Sequence, residues 1–311
     1  MRALILTKII IGTRQSALAL WQTHHIEALL KASYPSIAID IKPFSTRGDE
    51  ILDKALPEIG GKGVFTEALE MALRDGQIDY AVHSLKDVPT GDSSGLMLGA
   101  ITQRATPQDV LISKGGRSLD QLPSGATIGT SSRRRSAQLL AYRPDLNMLD
   151  IRGNVGTRIE KALSATSPYD AIILAQAGID RLGLSHYIAQ VLPIDLMLPA
   201  PGQGALAVQC RVGDTLLTPI ADEQTTICVT AERAFLSALG GGCSLPVGAY
   251  GQIDDNILHL RGRVCALGEH PHHMIDVVGK IVATRTNAHA LALELAQTAI
   301  AQGAKNILAG L

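Results

Sequence analysis

Short apolar runs alternate along this chain with longer segments whose apolar residues recur at helical spacing. The run "LILTKIII" precedes the helical segment "SALALWQTHHIEALLKAS", and the alternating run "IAIDIKP" follows it. The same order continues through "VFTEALEMALRDG", "IDYAVHS", "DVLIS", "ATIGTS", "LNMLDI" and "DAIILA". Strands that alternate with helices are typical of an α/β protein. The pattern therefore predicts an α/β fold with mainly parallel sheets up to about residue 220.

The pattern changes after that point. The helical segment "TTICVTAERAFLSALG" is followed by three strand-like runs, "VGAYGQI", "NILHLRGRVC" and "MIDVVGKIVAT". A last helix, "NAHALALELAQTAIAQG", has Asn287 as its expected N-cap and Gly303 beyond its end. Consecutive strands next to helices predict a separate, small α+β domain.

Length and composition limit the classes of protein. A chain of 311 residues suggests two or three domains. A net charge of -1 and only 3% aromatic residues argue against a general nucleic-acid or membrane-surface binder. The apolar N-terminal run is broken by Lys8 and is interpreted as a strand, not a signal peptide. Four widely spaced cysteines favour a reducing, cytoplasmic compartment over a disulfide framework.

Arginines stand at the starts of several predicted helices, where the helix dipole disfavours them. Residues 133–135 are three consecutive arginines after a strand, Arg152 and Arg158 flank another helix start, and Arg14 precedes the first helix. Ligands of parallel α/β sheets bind at this edge, and guanidinium groups there bind anions. The pattern indicates a ligand with several phosphates or carboxylates, and the alternative is solvated surface charge. No nucleotide-binding glycine motif is present.

One acid lies among these bases. In "AVHSLKDVPT", Asp87 follows His83 and Lys86 directly after a predicted strand. A carboxylate among cations stays ionised, and it can bind N–H groups and stabilise a cation formed on a substrate. The alternative is that Asp87 caps a turn before Pro89.

Three loops complete the set of candidate features. In "GGGCSLPVGAY", three glycines leave room around Cys243 for a large group, although a small residue in a tight turn is equally compatible. The segment "RGDEILDKALPEIGGKGVF" is expected to be a long, mobile loop or lid. The histidines of "EHPHH" are interpreted as a polar turn, so no metal site is predicted.

The motifs taken together resemble the porphobilinogen deaminase family. The resemblance spans essentially the whole chain and rests on motifs in the family's order: "TRQSALALWQ", "TRGD", "GGKGVF", "AVHSLKDVPT", "GTSSRRR", "RGNVGTR", "DAIILAQAGIDRLGL", "PGQGALAVQCR", "TAERAFL" and "GGCSLPVGAY".

The resemblance implies three α/β domains, the first two similar to type II periplasmic binding proteins with the active-site cleft between them. Domain 1 would comprise 1–102 plus 199–220, domain 2 would comprise 103–198, and the small α+β domain 3 would comprise 221–311 and carry the cysteine loop.

It also implies a transferase of heme biosynthesis. Four porphobilinogen molecules would be joined head to tail to hydroxymethylbilane, with release of ammonia at each step. The product would grow on a dipyrromethane cofactor attached to Cys243 through a thioether. The resemblance further implies a cytoplasmic monomer whose partner is this small molecule, with no nucleic acid or membrane partner.

The resemblance assigns roles to residues. Asp87 would be catalytic, would hydrogen-bond pyrrole N–H groups and would stabilise the azafulvene cation left when ammonia departs. The implied cofactor-binding residues are Cys243, Ser84, Lys86, Thr130, Ser131, Ser132, Arg134, Arg135, Arg152 and Gly153. The implied substrate-binding residues are Arg14, Ser16, Phe65, Arg158 and Arg181.

Two other classes of function would account for parts of the sequence. A non-catalytic, hinge-closing anion-binding protein would explain the arginines but neither Cys243 nor Asp87. A thiol-transfer protein acting through Cys243 would usually carry a resolving cysteine nearby, and the sequence has none.

Overall fold

The computed structural model describes residues 8–45, 66–242, 245–267 and 273–309. The strands among them are β1 (Ile9–Arg14), β2 (Ile39–Phe44), β3 (Tyr80–Ser84), β4 (Leu96–Ile101), β5 (Asp109–Ser113), β6 (Thr127–Gly129), β7 (Asn147–Leu149), β8 (Ala171–Ala175), β9 (Gln190–Val191), β10 (Leu206–Arg211), β11 (Val247–Asp254), β12 (Ile257–Cys265) and β13 (Met274–Val282). The helices are α1 (Ala17–Ser33), α2 (Glu67–Arg74), α3 (Arg133–Tyr142), α4 (Val155–Leu163), α5 (Gln176–Arg181), α6 (Glu223–Ala238), α7 (Arg285–Ala301) and α8 (Ala304–Ala309).

These strands form three sheets, and the α/β class with a small third α+β unit is confirmed. The first sheet has the order β2-β1-β3-β10-β4 and the second has the order β7-β6-β8-β5-β9. The third is the antiparallel meander β11-β12-β13. Strand β10 lies far along the chain but pairs between β3 and β4, so the chain returns to its first sheet after building the second.

The prediction of mainly parallel sheets is wrong. In the first sheet β1 is parallel to β2 and β3, but β10 is antiparallel to β3 and β4. In the second sheet β6 is parallel to β7 and β8, but β5 is antiparallel to β8 and β9. An apolar run indicates that a strand is buried on both faces of its sheet. It does not indicate the direction of the strand, because antiparallel strands can be buried in the same way.

Each sheet has its own hydrophobic core. Tyr80 and Ile11 lie in the first and Leu111 in the second. In the third, α6 and α7 pack on the sheet, and the ring of Phe235 contacts β12 at Gly262. A Cβ atom at Gly262 would lie 2.3 Å from that ring, so the glycine permits the close packing of helix and strand.

Helix α7 starts three residues earlier than the sequence suggested, and Asn287 is not its N-cap. Thr284 has extended backbone, and its side chain accepts a hydrogen bond from the Asn287 amide at 3.2 Å. Asn287 lies in the first turn and donates its side-chain amide to the Val282 carbonyl. Gly303 follows the helix end with φ 102°, as expected. No helix among the described residues is long and apolar enough to span a membrane.

Two segments of chain cross between the first and second sheets and bond to each other. The Ala105 amide donates to the Gly204 carbonyl at 3.2 Å, and the Thr102 amide donates to the Leu206 carbonyl at 3.1 Å. Gly204 has φ 92°, and a Cβ atom there would lie 2.4 Å from the Ala105 carbonyl oxygen. The crossing therefore requires glycine for its conformation and for its space.

Substitution of Gly204 by alanine should destabilise the crossing more than backbone strain alone explains. Gly213 is the matched control, because its φ is 91° and no atom lies within 4 Å of its Cβ position. Left-handed strain costs on the order of 1–3 kcal/mol in each variant. The collision with Ala105 should add about 1–3 kcal/mol in Gly204→Ala only. Urea unfolding midpoints measure the difference, and equal losses in the two variants would contradict this account.

Candidate active site

Asp87 ends a short 3₁₀ turn, Leu85–Asp87, that directly follows β3. The turn closes with a hydrogen bond from the Val88 amide to the Leu85 carbonyl at 3.1 Å. Ser84 is its N-cap residue, so Asp87 does not cap the turn, and the alternative role considered for it is not found. Among the described residues, none donates a hydrogen bond to the Asp87 carboxylate, which leaves its oxygens available to a ligand.

Positive charge surrounds this carboxylate. Burial, followed by the positive charge of Arg135, lowers the pKa of Lys86 to about 8, against the opposing effect of Asp87. Burial, followed by Arg135 and Arg152, lowers the pKa of Arg158 to about 10, and Asp87 again opposes this. Burial is the larger cause of both shifts, and neighbouring guanidinium groups add to it.

Arg134 and Arg135 bind Asp109, a fully buried residue at the start of β5 in the second sheet. Arg134 donates to Asp109 Oδ2 at 2.7 Å, and Arg135 donates twice to Oδ1, at 2.7 and 3.1 Å. Their remaining contacts include the carbonyls of Leu198 and Ile173. Burial alone would raise the pKa of Asp109, but the two arginines outweigh it and hold that pKa well below its usual value.

Gln203 joins this buried cluster to Lys86. Its side-chain amide donates to Asp109 Oδ1 at 3.0 Å and to the Pro107 carbonyl at 2.7 Å. Its side-chain oxygen accepts from Lys86 Nζ at 3.3 Å. Sequence reasoning missed both Asp109 and Gln203. The available signal was an acid that directly starts the apolar run "VLIS", because a carboxylate at a buried strand must have donors.

The predicted hydroxyl contacts lie in the loop between β6 and α3 and already make bonds within the protein. Thr130 Oγ1 accepts from the Ser132 amide, and Ser132 caps α3 by accepting from the Arg135 amide. Ser131 donates to the Ile151 carbonyl at 3.0 Å. Ser84, at the end of β3, accepts from Gln22 of α1 at 2.8 Å.

Four further predicted residues lie at starts and ends of elements. Ser16 caps α1, two residues after Arg14 at the end of β1. Gly153 has φ 119°, and its carbonyl accepts from Arg158 Nε at 2.7 Å. Arg181 ends α5, donates to the Gly204 carbonyl at 2.7 Å and lies 5.6 Å from the centroid of the Trp21 ring. Burial lowers the pKa of Arg181 to about 10.

Two predicted site residues, Cys243 and Phe65, lie outside the described residues, as does the predicted lid loop. The other three cysteines are buried free thiols. Burial raises the pKa of Cys210 to about 11 and those of Cys228 and Cys265 to about 12. A thiol that stays protonated is a poor nucleophile, so these three are poorly suited to the attachment of a ligand.

No group of three or more histidine, cysteine or acidic side chains that could hold a metal ion occurs in the part of the chain that is described. His270 and His272 lie outside that part. Arg135 and Asp87 affect the pKa values of both Lys86 and Arg158, and Arg152 affects that of Arg158. These five residues form the candidate site.

Removal of the Asp109 charge should destabilise the protein strongly. Asp109→Asn leaves two buried guanidinium groups without their counter-ion, a loss of about 3–5 kcal/mol at neutral pH. Asp40→Asn is the control, because the Lys8–Asp40 pair is exposed and should contribute under about 1 kcal/mol. Because the folded pKa is depressed, the advantage of aspartate is complete above the unfolded pKa near 4 and decreases as pH falls below it. Urea unfolding at several pH values measures this, and a pH-independent difference would contradict it.

Comparison with known proteins identifies the family. A family model described as "Porphobilinogen deaminase, dipyromethane cofactor binding domain" matches residues 9–218, and one described as "Porphobilinogen deaminase, C-terminal domain" matches residues 226–301. A porphobilinogen deaminase of Brevibacillus brevis is 44% identical over 304 residues, which cover 96% of each chain. One of Desulforamulus reducens is 45% identical over 305 residues, which cover 97% of each chain.

Solved structures of similar shape include the methionine-binding protein MetQ, 12% identical, with a TM-score of 0.43 over 75% of this chain and 94% of that one. This likeness is too distant to bear on function. The two family models and the near full-length relatives at 44–45% identity decide the assignment: the chain belongs to the porphobilinogen deaminase family.

Proposed function

We propose that this protein is a transferase of heme biosynthesis that joins four porphobilinogen molecules head to tail to give hydroxymethylbilane. Each step would break the C–N bond of one aminomethyl group and a ring C–H bond of the other pyrrole, join the two carbons and release one ammonia; water would supply the hydroxyl group when the product is released. The observation that carries the proposal is Asp87, an acid with no hydrogen-bond donor among the described residues, set among cations whose pKa values are lowered.

The residues around Asp87 fit the dipyrromethane cofactor named in the family description. Each of its pyrroles carries an acetate and a propionate, so the cofactor is strongly anionic. Lys86 and Arg158 are partly buried cations whose charged forms are disfavoured by burial and then by neighbouring cations, and carboxylates bound there would offset both effects. When bound, the dipyrromethane supplies the pyrrole carbon to which the first substrate is joined.

We assign the chemical work of the protein to two groups of side chains. Asp87 accepts hydrogen bonds from pyrrole N–H groups, orients the rings and stabilises the positive charge that develops on the substrate as ammonia leaves. The carboxylates of cofactor and substrate are bound by cationic and hydroxyl groups, and Phe65 borders the rings. The cationic and hydroxyl groups are Arg14, Ser16, Ser84, Lys86, Thr130, Ser131, Ser132, Arg152, Arg158 and Arg181, and Gly153 would contribute its backbone.

Arg134 and Arg135 have a second role beside the proposed binding of cofactor carboxylates. Both bind the buried Asp109, and Arg135 also bonds to Ser132 at the start of α3. We therefore assign to this pair the task of fixing the helix start at the cleft, and its charge contributes to the local potential.

We further propose the three-domain division at 1–102 plus 199–220, 103–198 and 221–311, and a monomer in a reducing, cytoplasmic compartment. Strand β10, which returns to the first sheet, supports the divided first domain. The three buried free thiols are compatible with the compartment. The competing function, a non-catalytic hinge-closing anion-binding protein, would bind porphobilinogen without releasing ammonia.

Attachment of the cofactor to Cys243 can be tested by mass. Protein made with access to porphobilinogen should be heavier than its sequence mass by two linked pyrrole units, and Cys243→Ser should lack the increment. Cys228→Ser, a buried thiol of raised pKa, is the control and should keep it. Intact-mass spectrometry together with an activity assay decides, because active protein of bare sequence mass would contradict the attachment.

Replacement of Asp87 should affect the rate of the chemical step more than binding. Asp87→Asn keeps the size and one acceptor oxygen but loses the charge, so single-turnover ammonia release should fall by about 100-fold or more. Asp87→Glu keeps the charge in a shifted position and should retain more activity than Asp87→Asn.

The control measurement is the melting temperature, which should change little in both variants because no described residue donates a hydrogen bond to this carboxylate. Near-normal ammonia release by cofactor-loaded Asp87→Asn would exclude Asp87 as the catalytic acid and would favour another carboxylate of the cleft.

A further inference from the structure

Arg233, on the third-sheet helix α6, binds the backbone that carries Asp87. Its Nη1 donates to the Val88 carbonyl at 2.9 Å and to the Leu85 carbonyl at 3.4 Å, and its Nη2 donates to the Pro89 carbonyl at 2.7 Å. These three carbonyls lie on both sides of Lys86 and Asp87 in the chain. One planar guanidinium group therefore joins the two ends of the turn.

The position of the Asp87 carboxylate depends on this backbone. Since no described residue donates a hydrogen bond to the carboxylate, its location is set by the conformation of the turn and by its own side-chain torsions. The turn has one internal hydrogen bond, from Val88 to Leu85, and Leu85 is further held by its amide bond to the Ala205 carbonyl. After Asp87, Arg233 holds the chain at Val88 and Pro89.

The same helix leads to the cysteine loop. Helix α6 ends at Ala238, and Gly240, Gly241 and Gly242 follow with positive φ. The Cβ position of Gly241 lies 3.0 Å from Thr90 Oγ1, so the loop runs next to the residue that follows Pro89. The Gly241 amide also donates back to the Leu236 carbonyl of α6. The helix thus contacts both the Asp87 turn and the start of the loop that contains Cys243.

We propose that Arg233 is a positioning residue that fixes the Asp87 turn to α6, the helix from which the cysteine loop starts. This inference rests on the proposed roles of Asp87 and Cys243. The cleft must accept a longer product at each addition, while the acid has to keep its place relative to the attachment point. This requirement is met when the Asp87 turn and the start of the cysteine loop are both fixed to α6.

The test compares Arg233→Met with Arg211→Met. Arg211 is a matched control because it donates to two backbone carbonyls, of Leu73 and Ile78, and to a carboxylate away from the candidate site. In Arg233→Met, kcat should fall by about 10- to 100-fold, the range expected when a reacting group is displaced by about 1 Å. KM should change by less than about threefold, and Arg233→Lys should be intermediate. Arg211→Met should keep the kcat of the unaltered protein.

A second readout does not need the loaded enzyme. In Cys243→Ser protein, which cannot carry the cofactor, Arg233→Met should accelerate amide hydrogen exchange in the peptide spanning 84–92, and Arg211→Met should not. The Val88 amide, bonded to Leu85, is the reporter within that peptide. Unchanged exchange in Arg233→Met would overturn the proposal, even if that variant were poorly active.

A double-mutant cycle separates positioning from general destabilisation. If Arg233 acts through the turn, Arg233→Met should slow Asp87→Asn by less than about twofold, far less than it slows the unaltered protein. If Arg233→Met slowed Asp87→Asn by the same factor as it slows the unaltered protein, the proposal would be overturned. Loss of hydroxymethylbilane formation by the unaltered, cofactor-loaded protein would instead overturn the proposed function, and the exchange measurement would still decide the role of Arg233.

Discussion

Two carboxylates that have no contact with solvent hold the connections between the three sheets, and a buried carboxylate is tolerated only if donors surround it. Asp109 receives bonds from Arg134, Arg135 and Gln203. Glu232 receives two bonds from Arg104 and one each from the amides of Gly202 and Gly251. Removal of one donor would leave the charge of an interior carboxylate less completely compensated.

The two carboxylates belong to one network through Gln203. The Gln203 side chain donates to Asp109, and the Gln203 backbone carbonyl accepts from Arg104 Nε at 2.8 Å. Arg104 is the arginine that also binds Glu232. The network therefore runs from the second sheet, through the crossing segments, to α6 and β11. Lys86 attaches to it at the Gln203 side-chain oxygen. Lys86 of the candidate site is thus bonded to the same network as the crossing segments. Among the described residues, no hydrogen bond links the Asp87 side chain to this network.

Local patterns in the sequence predicted the elements well, because spacing of apolar residues depends on the faces of one helix or strand. The strand Tyr80–Ser84 and the helix Ala17–Ser33 follow their motifs closely. Strand direction and the N-cap of α7 were wrong, since several polar residues near a helix start can cap it and only the backbone conformation selects Thr284. The excess of positive charge at helix starts was also visible. The sequence did not show which arginines bind internal carboxylates and which remain for a ligand, because Asp109 lies 25 and 26 residues from its arginines in the chain.

That division explains how one chain can carry several buried and partly buried cations. Arg104, Arg134 and Arg135 are matched by internal carboxylates, which stabilise the fold without any ligand. Lys86 and Arg158 are different, because burial and neighbouring guanidinium groups lower their pKa values to about 8 and about 10. A lowered pKa means that the charged form is destabilised in the folded protein. For Lys86, the resulting loss of folding stability is complete below about pH 8, and it decreases as the pH rises from there to the pKa of the unfolded chain. A bound carboxylate would offset the same cost at neutral pH. On the proposed function, the carboxylates of the ligand would supply that offset, and part of the binding free energy would originate there.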